Sequence, residues 1–164
     1  MKKTLNFILS GASVKRFHTV ETLHTETVGH HSHGVAMLVL LLDPDASKSL
    51  LQAALFHDLS EHITGDIPSP AKRSYGISTQ VDDLEERLMY DAGIVFPFLS
   101  NSEKRILKLA DIAHGALFCI KEMALGNSTM KSIFDTYMSY GRKKILTGKE
   151  IEIFNMLEEM SSVR

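Results

Sequence analysis

The chain has 164 residues, of which 44% are hydrophobic and 23% are charged. This composition is typical of a globular protein that buries a full core, so we predict a single domain over residues 1–164. The net charge of −2 lacks the basic excess of nucleic-acid binders, and the single cysteine excludes an internal disulfide. We therefore expect a protein of the reducing cytoplasm that binds no nucleic-acid polymer.

The sequence also predicts no association with a membrane. The apolar run near the amino terminus is brief and contains Asn6, which does not fit the core of a signal peptide. The longest apolar stretch, 35–42, is far shorter than the ~20 residues that span a bilayer.

The hydrophobic pattern is helical almost throughout. A strongly apolar helix is predicted over 28–42, and Asp45 or Ser47 is expected to cap a second helix that runs to about residue 56. The stretches 65–70 and 75–80 are predicted loops because they contain the helix breakers proline and glycine.

The second half of the chain continues this pattern. Helical periodicity is found over 81–92, over 102–125 with Asn101 or Ser102 as the cap, and over 128–146 and 149–160. No alternation typical of strands is present. We therefore predict an all-α fold, a compact bundle of about six or seven helices around one core.

The dipeptide His57-Asp58 is the most informative motif. It ends an apolar stretch, and a buried carboxylate is costly unless it is paired or binds a metal. His31 in the stretch 29–33 of the predicted apolar helix, and Asp111 within apolar sequence, are further candidates, since histidine and aspartate are good ligands for divalent cations. These four residues are candidates for a metal centre.

Helical spacing indicates which residue near this motif could act as a catalytic base. Glu61 lies four residues after His57, on the same helix face, where a carboxylate can orient or deprotonate a water at the metal. Such a site suits attack on phosphorus. A reacting phosphate needs cations, and Arg16 and Lys72 are candidates, although each is also typical of a surface charge.

Several candidates have open alternatives. His30 and His33 are expected in solvent or behind the ligands, but a metal pair of His30 with His33 stays open. Asp111 could instead pair with a buried arginine or cap a helix break. Asp66, after a glycine, could serve only a turn.

Longer stretches resemble the HD-domain phosphohydrolases. Residues 25–37 resemble the helix that carries the family's first metal-binding histidine, which falls on His31. Residues 56–72 closely resemble the core of bacterial HD-type deoxyribonucleoside 5′-nucleotidases, and 109–127 match their last metal segment. The likeness covers about 16–127, most of the chain.

The resemblance implies roles for single residues. It implies that one divalent transition metal (Co²⁺, Mn²⁺ or Zn²⁺) is held by His31, His57, Asp58 and Asp111. It makes Glu61 and Asp66 catalytic, with Asp66 also on the sugar 3′-hydroxyl. Arg16 and Lys72 would contact phosphate, and Thr19 is a candidate for the base. The family has tryptophan where this chain has Phe17, and an aromatic ring there is expected to favour 2′-deoxy sugars.

Two groups of the family are similar to this chain. Residues 11–20 and the basic end of the loop 65–73 are more similar to compact phage-encoded dATP triphosphohydrolases. That favours conversion of dATP to deoxyadenosine and triphosphate, with further Mg²⁺ or Mn²⁺ on the phosphates, in the host cytoplasm if a phage encodes the chain. The alternative is a nucleotidase that releases phosphate from deoxynucleoside monophosphates. Other HD hydrolases and a non-catalytic nucleotide-binding domain are less favoured. The family also implies a homo-oligomer, a dimer or hexamer.

Overall fold

A computed structural model of the chain describes residues 1–145 and 147–162. Within these residues there are nine helices and no strand, which confirms the all-α prediction. The helices are α1 (Lys2–Ala12), α2 (Val28–Leu42), α3 (Lys48–Phe56), α4 (Glu61–Thr64), α5 (Ser69–Ser74), α6 (Ser78–Asp91), α7 (Asn101–Ala124), α8 (Met130–Arg142) and α9 (Gly148–Ser162).

The structure has more helices than the six or seven that the sequence predicts. α4 and α5 span only four and six residues, too few for a hydrophobic period to be detected. α1 has only two buried residues, Phe7 and Gly11, so its pattern gives little signal. The predicted loops at 65–70 and 75–80 are shortened, because α5 begins at Ser69 and α6 at Ser78.

Helix boundaries follow from side chains that accept the free backbone N–H groups of a first turn. α2 has the predicted bounds. Ser47, rather than Asp45, caps α3 by accepting from Leu50 N at 3.0 Å. Ser100 caps α7 in a reciprocal pair with Glu103, rather than Asn101 or Ser102. The predicted helix 128–146 is α8, and its predicted end, Leu146, lies outside the described residues.

α7 is the central helix of the bundle. It packs against α2, α3, α8 and α9, and ten of its residues are buried, including Cys119, which lies in the core as an apolar residue would. Because α2 and α3 both lie against α7, the first turn of α2, the end of α3 and the middle of α7 meet in one region. No helix within the described ranges is long and apolar enough to cross a membrane.

The segment between α1 and α2 is fastened to the end of α7 by one buried carboxylate. Glu122 accepts hydrogen bonds from the backbone N–H of Leu23 at 2.7 Å, from that of His24 at 2.8 Å, and from Asn127 Nδ2 at 3.0 Å. The start of this segment pairs with its own end, since Arg16 N donates to Glu26 O at 3.0 Å. Both attachments hold the segment beside the meeting point of α2, α3 and α7.

Candidate metal centre

The four predicted metal ligands lie together where α2, α3 and α7 meet. His31 is on α2, Asp111 is on α7, and His57 and Asp58 directly follow α3. His31 Nε2 lies 3.1 Å from Asp111 Oδ1 and 3.7 Å from Asp58 Oδ2. His57 Nε2 lies 3.2 Å from Asp58 Oδ2. We call this group of four side chains the HD corner.

The ring of His57 indicates what the HD corner is built to hold. Its Nδ1 donates to Ala54 O at 3.0 Å, so in the neutral ring the proton is on Nδ1 and Nε2 carries a lone pair. That Nε2 is buried without a hydrogen-bond partner among the described residues. It faces other electron-rich atoms, because one atom each of His31, His57 and Asp58 lie within 4.8 Å of one another. Nitrogen and carboxylate donors so arranged fit a divalent transition metal.

The pKa values of the HD corner are set by burial and by neighbouring charges, which act in opposite directions on Asp58 and His57. Burial would raise the pKa of Asp58, but the positive charge of His57 and of Arg16 outweighs burial and holds that pKa below its usual range. Burial lowers the pKa of His57, and the neighbouring Asp58 carboxylate more than reverses this. Burial together with the charge of Arg16 lowers the pKa of His31. The carboxylates are therefore ionised and attract a cation.

Two cations at the edge of the HD corner hold its carboxylates in place. Arg16 Nη1 donates to Asp58 Oδ2 at 2.8 Å, and its Nε donates to Glu26 at 3.2 Å. Lys108 Nζ donates to Asp111 Oδ2 at 2.7 Å. Burial raises the pKa of Asp111, but Lys108 and His31 outweigh it and hold the pKa well below its usual value. Asp111 therefore pairs with a lysine, not with the arginine that the alternative reading proposed.

Glu61 lies next to the HD corner and outside its hydrogen bonds. Its side chain is buried, and its Oε2 has no hydrogen-bond partner among the described residues. Burial, followed by the negative charges of Asp58 and Asp66, raises the pKa of Glu61 to about 10. A divalent cation nearby would reverse this by favouring the ionised form. The carboxylate is free to take part in proton transfer.

A cavity of about 360 Å³ opens on one side of the HD corner. Its lining includes all the residues predicted to bind substrate, namely Arg16, Phe17, Thr19, Asp66 and Lys72, and also Glu61. Phe17 has a left-handed backbone, with φ of 55°, and its N–H donates to Asp66 Oδ2 at 3.2 Å. Asp66 thus fixes the conformation of Phe17, a role beyond that of a turn residue.

A second cavity of about 870 Å³ lies on the other side. Asp58, Asp111, Lys72, Arg73 and Lys108 line both cavities, so the two carboxylates of the HD corner and three cations stand at their boundary. A ligand that passes the HD corner could extend from one cavity into the other.

The three shared cations differ in their partners. Lys72 Nζ is 3.2 Å from Glu85 Oε1, and Lys108 is bound to Asp111. Arg73 contacts neutral groups instead: it donates to Ser69 Oγ at 2.7 Å, and its guanidinium lies 4.9 Å from the ring centre of Tyr140. Within the described part of the chain no carboxylate pairs with Arg73, so its charge is available to a ligand.

Several residues of this region were not predicted from the sequence. Tyr137 and Tyr140 of α8 line the first cavity, but α8 follows the stretch that resembles the family, and tyrosines at helical spacing are typical of an ordinary core. Lys108 and His114 lie three residues before and after Asp111, so one helix face carries all three; that spacing is the one signal that could have found them.

The alternative metal pair is not supported. His30 and His33 are exposed, and neither belongs to a group of potential ligands found in the described residues.

Comparison with known proteins decides the family. A sequence model of the 5′-deoxynucleotidase YfbR-like family matches residues 5–161. The chain belongs to this family. The prediction of an HD-domain phosphohydrolase is thereby confirmed, and the protein is a metal-dependent enzyme that acts on deoxynucleotides.

Relatives in the YfbR-like family include the 5′-deoxynucleotidase YfbR of Escherichia coli. The protein of strain K12 / DH10B is 27% identical over an alignment that covers 70% of each chain. The same values hold for the protein of strain O157:H7 EC4115.

Solved structures share the fold. The PH0347 protein of Pyrococcus horikoshii OT3 aligns over 98% of this chain and 99% of its own, with a TM-score of 0.77 and 19% identity. The HD phosphohydrolase DatZ of cyanophage S-2L, solved with dA and one catalytic Zn²⁺ ion, aligns over 95% of each chain, with a TM-score of 0.69 and 16% identity.

Proposed function

We propose that this enzyme hydrolyses the ester bond between the 5′-oxygen of a deoxynucleoside and its α-phosphorus. The observation that carries the proposal is the buried His57 Nε2, which has no hydrogen-bond partner among the described residues and lies within 4.8 Å of ligand atoms of His31 and Asp58. In this proposal one ion of Zn²⁺, Co²⁺ or Mn²⁺ is held by His31, His57, Asp58 and Asp111. When bound, such an ion supplies Lewis-acid stabilisation of phosphate oxygens and favours deprotonation of water.

Residues around the HD corner position the water, the phosphate and the nucleoside in this proposal. Glu61, which is buried and whose Oε2 has no hydrogen-bond partner among the described residues, orients the attacking water and accepts its proton. Arg16, fixed by two carboxylates, offsets the charge that develops on the phosphate oxygens. Asp66 accepts from the sugar 3′-hydroxyl, and Phe17 packs against the sugar at C2′. Thr19, which lines the same cavity, contacts the base in this proposal.

We propose dATP as the substrate, with deoxyadenosine and triphosphate as products. A monophosphate needs only the HD corner, whereas the β- and γ-phosphates of a triphosphate need room and further cations beyond it. The second cavity supplies the room, and Arg73, which pairs with no carboxylate among the described residues, lines it together with Lys72 and Lys108. Further Mg²⁺ or Mn²⁺ would accompany these phosphates. The dA bound in DatZ supports adenine as the base.

The second candidate is hydrolysis of deoxynucleoside monophosphates to deoxynucleosides and phosphate. The observation that favours it is the family itself, because the matched model and the E. coli relatives are named for 5′-deoxynucleotidase activity. Both candidates use the same attacked phosphorus and the same residues.

One substrate panel separates the two candidates. The four deoxynucleoside monophosphates and four triphosphates are each incubated with Co²⁺, Mn²⁺ or Zn²⁺, and the products are separated by ion-exchange chromatography. Release of intact triphosphate from dATP supports the first candidate, and release of phosphate from several monophosphates supports the second. The Glu61→Gln variant serves as the control for contaminating phosphatases. No turnover of any of these substrates with any metal would refute both.

We also propose that the enzyme forms a homo-oligomer. Met37, Leu40 and Leu41 lie exposed on the outer side of α2, and contact with a second copy would remove this apolar surface from water. Sedimentation velocity measures the state directly, and a monomer at micromolar concentration would refute the proposal. The single domain over 1–164, the cytoplasmic location and the absence of nucleic-acid and membrane partners stay predictions.

A further inference from the structure

His114 lies behind His31, on the side away from the HD corner. The Nδ1 atoms of the two rings are 3.1 Å apart. The rings meet edge to face, with their centres 5.0 Å apart and a 74° angle between their planes. His31 is fully buried, so water cannot replace this contact. Its other nitrogen, Nε2, faces Asp111 and Asp58.

The hydrogen bond between the two rings fixes which nitrogen carries each proton. A neutral imidazole has one N–H group and one lone pair. If Nε2 of His31 offers its lone pair to a cation, Nδ1 of His31 must carry the proton and requires an acceptor. Nδ1 of His114 is the atom at hydrogen-bonding distance, which places the proton of His114 on its Nε2. Metal-binding histidines are regularly oriented by an acceptor at the second nitrogen.

Gly34 makes room for the ring of His114. A Cβ atom at this position would lie 2.0 Å from Cδ2 and from Nε2 of His114, so no other residue type fits while the ring stays where it is. Gly34 is on α2, one turn after His31. Glycine inside a helix is less favourable than alanine, and here the missing side chain is what admits the acceptor.

We propose that His114 is a positioning residue of the metal centre. Its Nδ1 accepts the proton of His31 Nδ1 and thereby fixes the tautomer and the ring orientation that present His31 Nε2 to the metal. Gly34 provides the space for this contact. The inference rests on the metal centre proposed above. It means that α7 contributes both a ligand, Asp111, and, one turn later, His114, which positions a ligand on α2.

A pair of substitutions at His114 tests the inference without any substrate. His114→Leu removes the acceptor and puts an apolar side chain of similar size in its place. His114→Asn places an amide oxygen near the position of Nδ1. Affinity of the full chain for Co²⁺ and for Zn²⁺ is measured by competition with a chelator, together with the visible spectrum of the Co²⁺ form. We expect His114→Leu to weaken metal binding by about 10–100-fold and to change the Co²⁺ spectrum, and His114→Asn to restore most of both.

Gly34→Ala is an independent test, because it displaces the ring while leaving His114 in the sequence. It should weaken metal binding although alanine favours the helix. This variant and His114→Asn carry the test if His114→Leu does not fold. Circular dichroism and the unfolding midpoint in EDTA report the stability of each metal-free variant. If the role of His114 were purely structural, the leucine and asparagine variants would lose stability equally.

Three results would overturn the inference. The first is a His114→Leu variant with the metal affinity and Co²⁺ spectrum of the wild type. The second is a wild-type chain that binds two metal ions and a His114→Leu variant that binds one. His114 would then be a metal ligand itself, together with Glu26, whose Oε1 lies 3.6 Å from Nδ1 of His114. The third is a wild-type chain that binds no metal, which would refute the proposed metal centre as well.

Discussion

Arg73 is the cation that separates the two proposed substrates. It stands where the two cavities meet, and its contacts are neutral groups, Ser69 and Tyr140. In the triphosphate proposal its guanidinium binds the β- or γ-phosphate, which a monophosphate lacks. Arg73→Gln should therefore reduce kcat/KM for dATP and leave kcat/KM for dAMP nearly unchanged.

The size of the effect follows from the exposure of Arg73. Two unit charges 4 Å apart interact by about 1 kcal/mol in water and by about 4 kcal/mol near a protein surface. The Arg73 side chain is exposed, so screening by solvent favours the lower half of this range, about 1–2 kcal/mol. That corresponds to a loss of about 5–30-fold in kcat/KM for dATP.

The assay compares initial rates of deoxyadenosine release from dATP and from dAMP by the wild type and the variant. Arg87→Gln is the matched control, because Arg87 is an exposed arginine on α6 that lines neither cavity and donates to the Asp83 carbonyl. An equal loss with both substrates, or the same loss in Arg87→Gln, would refute a triphosphate site at Arg73.

Three further predictions concern the HD corner, the sugar and the fold. Asp58→Asn should lose both bound metal and turnover, whereas Glu61→Gln should lose turnover and keep the metal; metal analysis after desalting distinguishes them, and normal activity in both would end the proposed mechanism. Phe17→Ala should raise the ratio of kcat/KM for ATP to that for dATP, because the ring no longer crowds the 2′ position; an unchanged ratio would contradict that role. Glu122→Gln should lower the free energy of unfolding by about 2–4 kcal/mol at neutral pH, since a buried charged acceptor of four hydrogen bonds is replaced. Burial raises the pKa of Glu122, but these hydrogen bonds outweigh it and lower that pKa; the contribution of Glu122 is therefore present above the pKa of the unfolded chain, about 4.3, and is lost as pH falls through the folded-state pKa. Urea unfolding of both proteins at several pH values should show their stabilities converging in acid, and a constant difference would refute this account.

Local features of the sequence determined much of the fold and of the site. Hydrophobic periodicity gave the bounds of α2, and Ser47 was among the expected caps because a cap depends only on the next three residues, whereas the cap of α7, Ser100, was not predicted. The placement of His57 beside Asp58 is likewise local. The helix face that was expected to carry both His57 and Glu61 is not continuous, because α3 ends at Phe56 and α4 begins at Glu61. The likeness to a known family then joined these segments to His31 and Asp111, which the structure places in one corner.

Contacts between distant parts of the chain were decided only by the tertiary structure. His114 is 83 residues from His31, and nothing near it in the sequence shows that Gly34 leaves room for its ring. The cavity wall formed by Tyr137 and Tyr140 depends on how α8 packs on α7. Hydrophobic periodicity tells which face of a helix is buried, but the neighbour that covers this face is chosen by packing of the whole bundle. The sequence therefore determined which groups could bind a metal, and packing decided which groups support them and how much space a substrate has.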